Sequence, residues 1–92
     1  MNKEIKKKQI VILGSTGSIG TQALQVVEEH PGLYEVYALT ANNKVDLLIA
    51  QARKFQPEAV VIANEEKYGR LKEALSDLPI KVYAGAEAVC QI

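Results

Sequence analysis

Gly14, Ser15, Thr16, Gly17, Ser18, Ile19 and Gly20 form one glycine and hydroxyl stretch directly after the apolar run 10–13. Residues of these types can hold an anion. Glycine lets the backbone turn sharply and lets a ligand come close where a Cβ would intrude. The hydroxyls of Thr16 and Ser18 can cap a helix or meet a phosphate oxygen. A helix that starts here offers first-turn N–H groups without intrahelical partners and about half a positive charge. The spacing is G-x-x-G-x-x-G, one residue away from the G-x-G-x-x-G of dinucleotide folds. An apolar strand before it and a helical period after it point to a pyrophosphate-bearing dinucleotide. No Gly-Lys-Ser/Thr follows, which argues against a nucleotide triphosphate loop of the Walker type. On these residues alone, a tight strand–helix turn without a ligand stays open as the alternative.

A second group, Thr40, Ala41, Asn42, Asn43 and Lys44, closes the next strand pattern. A fold that binds NAD usually places Asp or Glu here, on the ribose 2′-hydroxyl. Glu35 comes too early for that role, and Asp46 falls inside the following helix pattern. A carboxylate would repel a 2′-phosphate, whereas amides and an ammonium would bind one. The residues therefore predict NADP over NAD, with Asn43 and Lys44 as the best contacts. A merely polar turn is the competing reading.

These groups need a frame, and the hydrophobic periods supply it. Residues 9–13 read as a strand apolar on both faces, which suits the middle of a parallel sheet. Ile19, Ala23, Val26 and Val27 then recur on one helical face, with Ile19 turned inward to anchor the helix. Pro31-Gly32 stops it. Residues 34–41 are a second strand and Asn42-Asn43 a turn. Val45, Leu48, Ile49 and Ala52 mark a helix to about Phe55, and residues 59–62 a third strand. Asn64 is a good N-cap, with Glu65 and Glu66 in the first turn behind it. Tyr68, Leu71, Leu75 and Leu78 form the stripe of a third helix, on which Glu66 and Arg70 stand four apart. Residues 80–83 are a fourth strand and 85–92 the opening of a fourth helix. The order β-α-β-α-β-α-β-α implies a Rossmann-like, doubly wound α/β fold with a parallel sheet. Residues 1–8 read as a polar basic leader and 9–92 as the N-terminal portion of an NADP-binding domain, truncated inside its last helix.

Charge and composition narrow the function further. Eleven basic and eleven acidic residues balance to zero, so no general field draws this chain to nucleic acid or an acidic membrane. The cluster Lys3, Lys6, Lys7 and Lys8 has no interleaved aromatics and reads as a solvated leader. No run approaches the ~20 apolar residues of a membrane span, and no signal peptide is evident. The single cysteine, Cys90, cannot form an internal disulfide, which agrees with a cytoplasmic location. His30 reads as a helix C-terminal residue and the aromatics as core or sheet-edge residues. No acidic pair converges and no metal-ligand spacing occurs. A cofactor is legible; a reaction centre is not.

Three stretches, KQIVILGSTGSIGTQALQVVEEHP, YEVYALTANNKVDLL and FQPEAVVI, resemble the N-terminus of the 1-deoxy-D-xylulose 5-phosphate reductoisomerases. The resemblance runs over residues 8–92, and GSTGSIG is its most specific part. It implies an enzyme of the non-mevalonate isoprenoid route. Such enzymes rearrange 1-deoxy-D-xylulose 5-phosphate and reduce the product with NADPH to 2-C-methyl-D-erythritol 4-phosphate. A magnesium or manganese ion chelates the substrate oxygens. It further implies a homodimeric parent. The family's NADPH contacts fall on Thr16, Gly17, Ser18, Ile19, Asn42, Asn43 and Lys44, with Gly14 and Gly20 shaping the loop. The family often has glycine where Asn42 stands, and asparagine tolerates the left-handed turn this implies. The metal-binding carboxylates, substrate-phosphate site and catalytic loop of the family fall beyond Ile92. Residues 1–92 are thus expected to bind cofactor without turnover, and to self-associate through an uncovered edge or helix face. Another NADP-linked reductase or semialdehyde dehydrogenase, or a nucleotide-binding module without chemistry, is the alternative.

Overall fold

The alternation of two hydrophobic periods becomes an alternation of strands and helices in the computed structural model, which describes residues 7–85 and residue 88. The elements are β1 (Lys8–Ile12), α1 (Ser18–Glu29), β2 (Tyr34–Ala41), α2 (Val45–Phe55), β3 (Ala59–Ile62), a 3-10 turn (Glu65–Lys67) running into α3 (Tyr68–Ala74), and β4 (Lys81–Ala84). All strand pairs are parallel and the sheet order is β1-β2-β3-β4. The fold is a Rossmann-like α/β sheet. Its three crossovers run in one direction, so the reversal of a second winding is not among the described residues.

Register places the core. Ile12 stands beside Leu39, Leu39 beside Val60, and Val60 beside Val82. These side chains meet Leu24 and Val27 of α1, Leu48 of α2 and Leu71 of α3 in one apolar cluster. Leu39, Leu48, Ile62 and Leu71 are fully buried, each worth about 1.5–3 kcal/mol of transfer free energy. The register shifts between Ile10 and Val11. That irregularity lets Val36 and Leu39, three apart, both reach the cluster.

The helices end where backbone chemistry requires. Gln56 takes a left-handed φ of 48° while its N–H donates to the Ala52 carbonyl, and Pro57 follows. Ion pairs tie the helices across their wet sides. Arg53 forks onto both oxygens of Asp77, at 2.9 and 2.8 Å, and reaches the Ala74 carbonyl. The hydrogen bond from Arg53 holds the Asp77 carboxyl down at about 2. Lys54 pairs with Glu28 of α1 at 2.8 Å.

Several expectations change. The inner face of α1 is Gly20, Leu24 and Val27, and Ile19 is 82% exposed. Gly20 sits hard against the loop backbone, which sets the rotation of α1 and turns Ile19 outward. The third helix is short, because its first turn is 3-10 and it ends at Ala74, before the expected Leu78, although Leu71 and Leu75 are buried as expected. Glu66 lies in that 3-10 turn, outside the α-helical spacing, and Arg70 pairs with Asp46 instead. β1 is an edge of the described sheet, with Val11 41% and Leu13 64% exposed. The helix expected over 85–92 lies outside the described residues except for Gly85 and Ala88, as do Cys90 and most of the basic leader.

Candidate cofactor site at the glycine loop

The loop after β1 is fixed by partners from two other elements. Gly14 leaves the strand at φ +68°, a conformation that favours glycine. Its N–H donates to Thr40 Oγ1 at 2.9 Å, and the Ser15 N–H donates to the Thr40 carbonyl at 2.8 Å. The buried Ser15 hydroxyl donates to Gln51 Oε1 at 2.7 Å, while Gln51 Nε2 returns a bond to the Ser15 carbonyl at 2.8 Å. The end of β2 and the middle of α2 thus hold the loop from below.

The three glycines do different work. Gly14 makes the left-handed turn. At Gly20 a Cβ would lie 2.3 Å from the Gly14 oxygen and 2.6 Å from the Ser15 Cα, so only glycine lets α1 seat against the loop. Gly17 is extended, with φ −84° and ψ 177°, which any residue adopts. A Cβ there would touch only the Gly14 oxygen, at 3.4 Å. What glycine leaves at position 17 is space over the start of α1.

That start is bare. Gly17 is the N-cap and supplies no side-chain bond, and the first turn carries no acid. Thr21 is the first residue of α1 whose N–H reaches back to the loop, to the Gly17 carbonyl at 2.9 Å. The N–H groups of Ser18 and Ile19 precede it and have no intrahelical acceptor. Both residues are exposed, Thr16 is half-buried, and the helix field is positive here. The arrangement presents unpaired donors to solvent at the C-terminal end of β1.

The second half of the site follows β2. The Asn42 carbonyl accepts from the Asn64 N–H at 3.0 Å, and Asn43 Oδ1 accepts from Asn64 Nδ2 at 2.9 Å. Asn64 Oδ1 in turn caps the Glu66 N–H at 3.0 Å, as expected of an N-cap. Asn42 is not left-handed: Gln56 is the one non-glycine residue with positive φ among the described residues. The turn therefore needs no glycine at position 42. Lys44 is exposed at the N-cap of α2 and takes part in no ion pair among the described residues. The acid of this helix start, Asp46, is bonded by Arg70 Nε at 2.7 Å, which offsets its charge.

Both halves sit at the C-terminal ends of adjacent parallel strands, where open α/β sheets take their ligands. Thr40, Ser15, Gln51 and Asn64 organise the site; the first two stand in the stretches named from the sequence and Asn64 reads there as an N-cap, whereas Gln51 is not among them. One signal was available, since Gln51 interrupts the buried face of α2 between Leu48 and Ala52. An open cavity of about 440 Å³ bordered by Val27, Pro31, Tyr34 and Phe55 lies at the opposite ends of the strands. Among the described residues no group of three or more His, Cys, Asp or Glu could hold a metal ion. No described helix is long and apolar enough to cross a membrane.

A family model described as 1-deoxy-D-xylulose 5-phosphate reductoisomerase matches residues 10–92. The chain belongs to the 1-deoxy-D-xylulose 5-phosphate reductoisomerase family. A reductoisomerase of Bacteroides fragilis is 90% identical over 89 residues, covering 97% of this chain and 23% of that protein. One from Bacteroides thetaiotaomicron is 86% identical over 90 residues, covering 98% and 23%. The chain thus spans about a quarter of the length of these curated relatives. Among solved structures, the Zymomonas mobilis reductoisomerase in complex with NADPH superposes with a TM-score of 0.90 at 37% identity, covering 94% of this chain and 23% of that one. A reductoisomerase holding NADPH, fosmidomycin and magnesium gives 0.87 at 33% identity, covering 92% and 21%.

Proposed function

We propose that this chain is the NADPH-binding portion of an enzyme that rearranges 1-deoxy-D-xylulose 5-phosphate and reduces the product to 2-C-methyl-D-erythritol 4-phosphate. The observation that carries the reading is the bare, acid-free start of α1 beneath Gly17, held rigid by Thr40 and Gln51. The backbone N–H groups of Ser18 and Ile19, with the Thr16 and Ser18 hydroxyls, would hold the pyrophosphate. Gly14 and Gly20 shape the loop and Gly17 leaves room for the ligand. Asn42, Asn43 and Lys44 would surround the adenosine ribose and its 2′-phosphate, with Lys44 as the charge partner. NADPH supplies hydride when bound, and this chain's residues orient it.

The fit is physical as well as familial. The exposed first turn of α1 offers unpaired N–H groups to an anion, and the turn after β2 has Asp46 already occupied by Arg70. A divalent metal, magnesium or manganese, would chelate substrate oxygens in the whole enzyme, and we assign it no ligand among residues 1–92. The same reading takes residues 9–92 as part of the NADP-binding domain and 1–8 as its leader. It places the enzyme in the cytoplasm as a homodimer, with an uncovered edge at β4 or an apolar helix face as a route to self-association of this chain.

Calorimetric titration with NADPH and NADH tests the reading. NADPH should bind more tightly. Lys44→Ala should weaken NADPH by about 0.5–2 kcal/mol more than NADH, as for one partly exposed charge contact. Equal or absent binding of the two nucleotides would overturn the cofactor assignment. Equal losses on Lys44→Ala would remove that lysine from the 2′-phosphate.

A further inference from the structure

Gln51 is a buried amide in the middle of α2, and binding of the cofactor makes no direct use of it. Its orientation follows from chemistry. The Ser15 carbonyl can only accept, so the amide nitrogen must face it, and the amide oxygen then takes the Ser15 hydroxyl proton. No buried side-chain nitrogen or oxygen among the described residues is left without a partner, and both polar atoms of the Gln51 amide are bonded to Ser15.

We propose that Gln51 is a positioning residue for cofactor choice: by clamping Ser15 it fixes the distance between the glycine loop and the Asn43–Lys44 turn. The proposal rests on the NADPH reading above. Lys44 opens α2, and Gln51 lies seven residues further along the same helix, about 10 Å down its axis. An α-helix is stiff along that length, so the clamp at Gln51 ties the body of α2, and through it Lys44, to Ser15. Thr40 holds the same loop from the other side of the turn, four residues before Lys44, so the turn is held at both ends. A dinucleotide with a 2′-phosphate must reach both the loop and the Lys44 turn at once. One without it answers mainly to the loop. Loosening the clamp therefore costs NADPH more than NADH, although Gln51 touches neither.

The test measures both affinities on the whole 92-residue chain. Gln51→Met keeps the length and removes both hydrogen bonds. Ser15→Ala removes one of them with little change of volume, and serves if the methionine variant does not fold. Gln51→Met should lower the preference for NADPH over NADH about fivefold or more, and Ser15→Ala about twofold to threefold. In a Lys44→Ala background, Gln51→Met should leave the remaining preference unchanged, because the contact it positions is gone. An equal loss for both nucleotides, or an unchanged preference in the variants that fold, would overturn the proposal, since simple packing weakens both alike. If the unsubstituted chain shows no preference, the NADPH reading fails first and the inference falls with it.

Discussion

Two helix starts in this chain stand at the C-terminal ends of parallel strands and are built in opposite ways. After β3, Asn64 caps the Glu66 N–H, and Glu65 and Glu66 supply the negative charge that the helix start attracts. After β1, Gly17 caps nothing and the first turn of α1 has no acid. The first start satisfies itself. The second keeps its donors and its field unspent, at a cost of a few tenths of a kcal/mol relative to a capping side chain. A terminus that is both rigid and unsatisfied is one the fold holds ready for something outside itself.

Gly20→Val would break the comparison most severely. Its side chain must enter space already held by the Gly14 oxygen and Ser15 Cα. The seat of α1 should be lost, at about 3 kcal/mol or more of stability, seen as a large drop in the denaturant midpoint. Gly17→Asp would instead convert the bare start into a self-satisfied one. Its backbone is already extended, as an N-cap requires. Thermal stability should hold or rise by up to about 1 kcal/mol. NADPH affinity should fall roughly a hundredfold, because the new carboxylate occupies the donors. A variant that kept its affinity would show that the start of α1 is not the anion site. The smallest effect belongs to Asn64→Ala, which should cost about 1 kcal/mol of stability through the lost cap. Its influence on NADPH should be slight, through release of the Asn43 amide; a loss of affinity as large as at Gly17 would erase the distinction between the two starts.

The sequence displays the strands and the loop because those depend on local pattern. The bounds of β3 follow from an uninterrupted apolar run, and those of β2 from a strand pattern closed by the turn residues Asn42 and Asn43. The rotation of α1 was not visible, since it depends on Gly20 meeting Gly14 and Ser15 backbone, a contact that no helical period encodes. Ile19 therefore reads as an anchor and is instead the most exposed large apolar residue among those described. Asp46 and Arg70 stand 24 positions apart, so their pairing required the packing of α2 beside α3. The contact residues proposed for the cofactor were legible as a glycine loop and an acid-free turn. The part Gln51 plays beneath them is not legible, and Thr40 stands in the named turn without its bonds to the loop, because a buried polar residue reveals its purpose only when its partner is known.

The sheet order β1-β2-β3-β4 carries a consequence for how the molecule assembles. Each strand bonds to the next one in sequence, so every pairing closes a loop of one crossover and contact distances stay short. The hydrogen-bond partners of Gly14 and Ser15 lie 26 and 36 positions downstream, all before the end of α2. The long-range hydrogen bonds of the glycine loop therefore lie entirely within residues 8–55, and β3 and β4 contribute none of them.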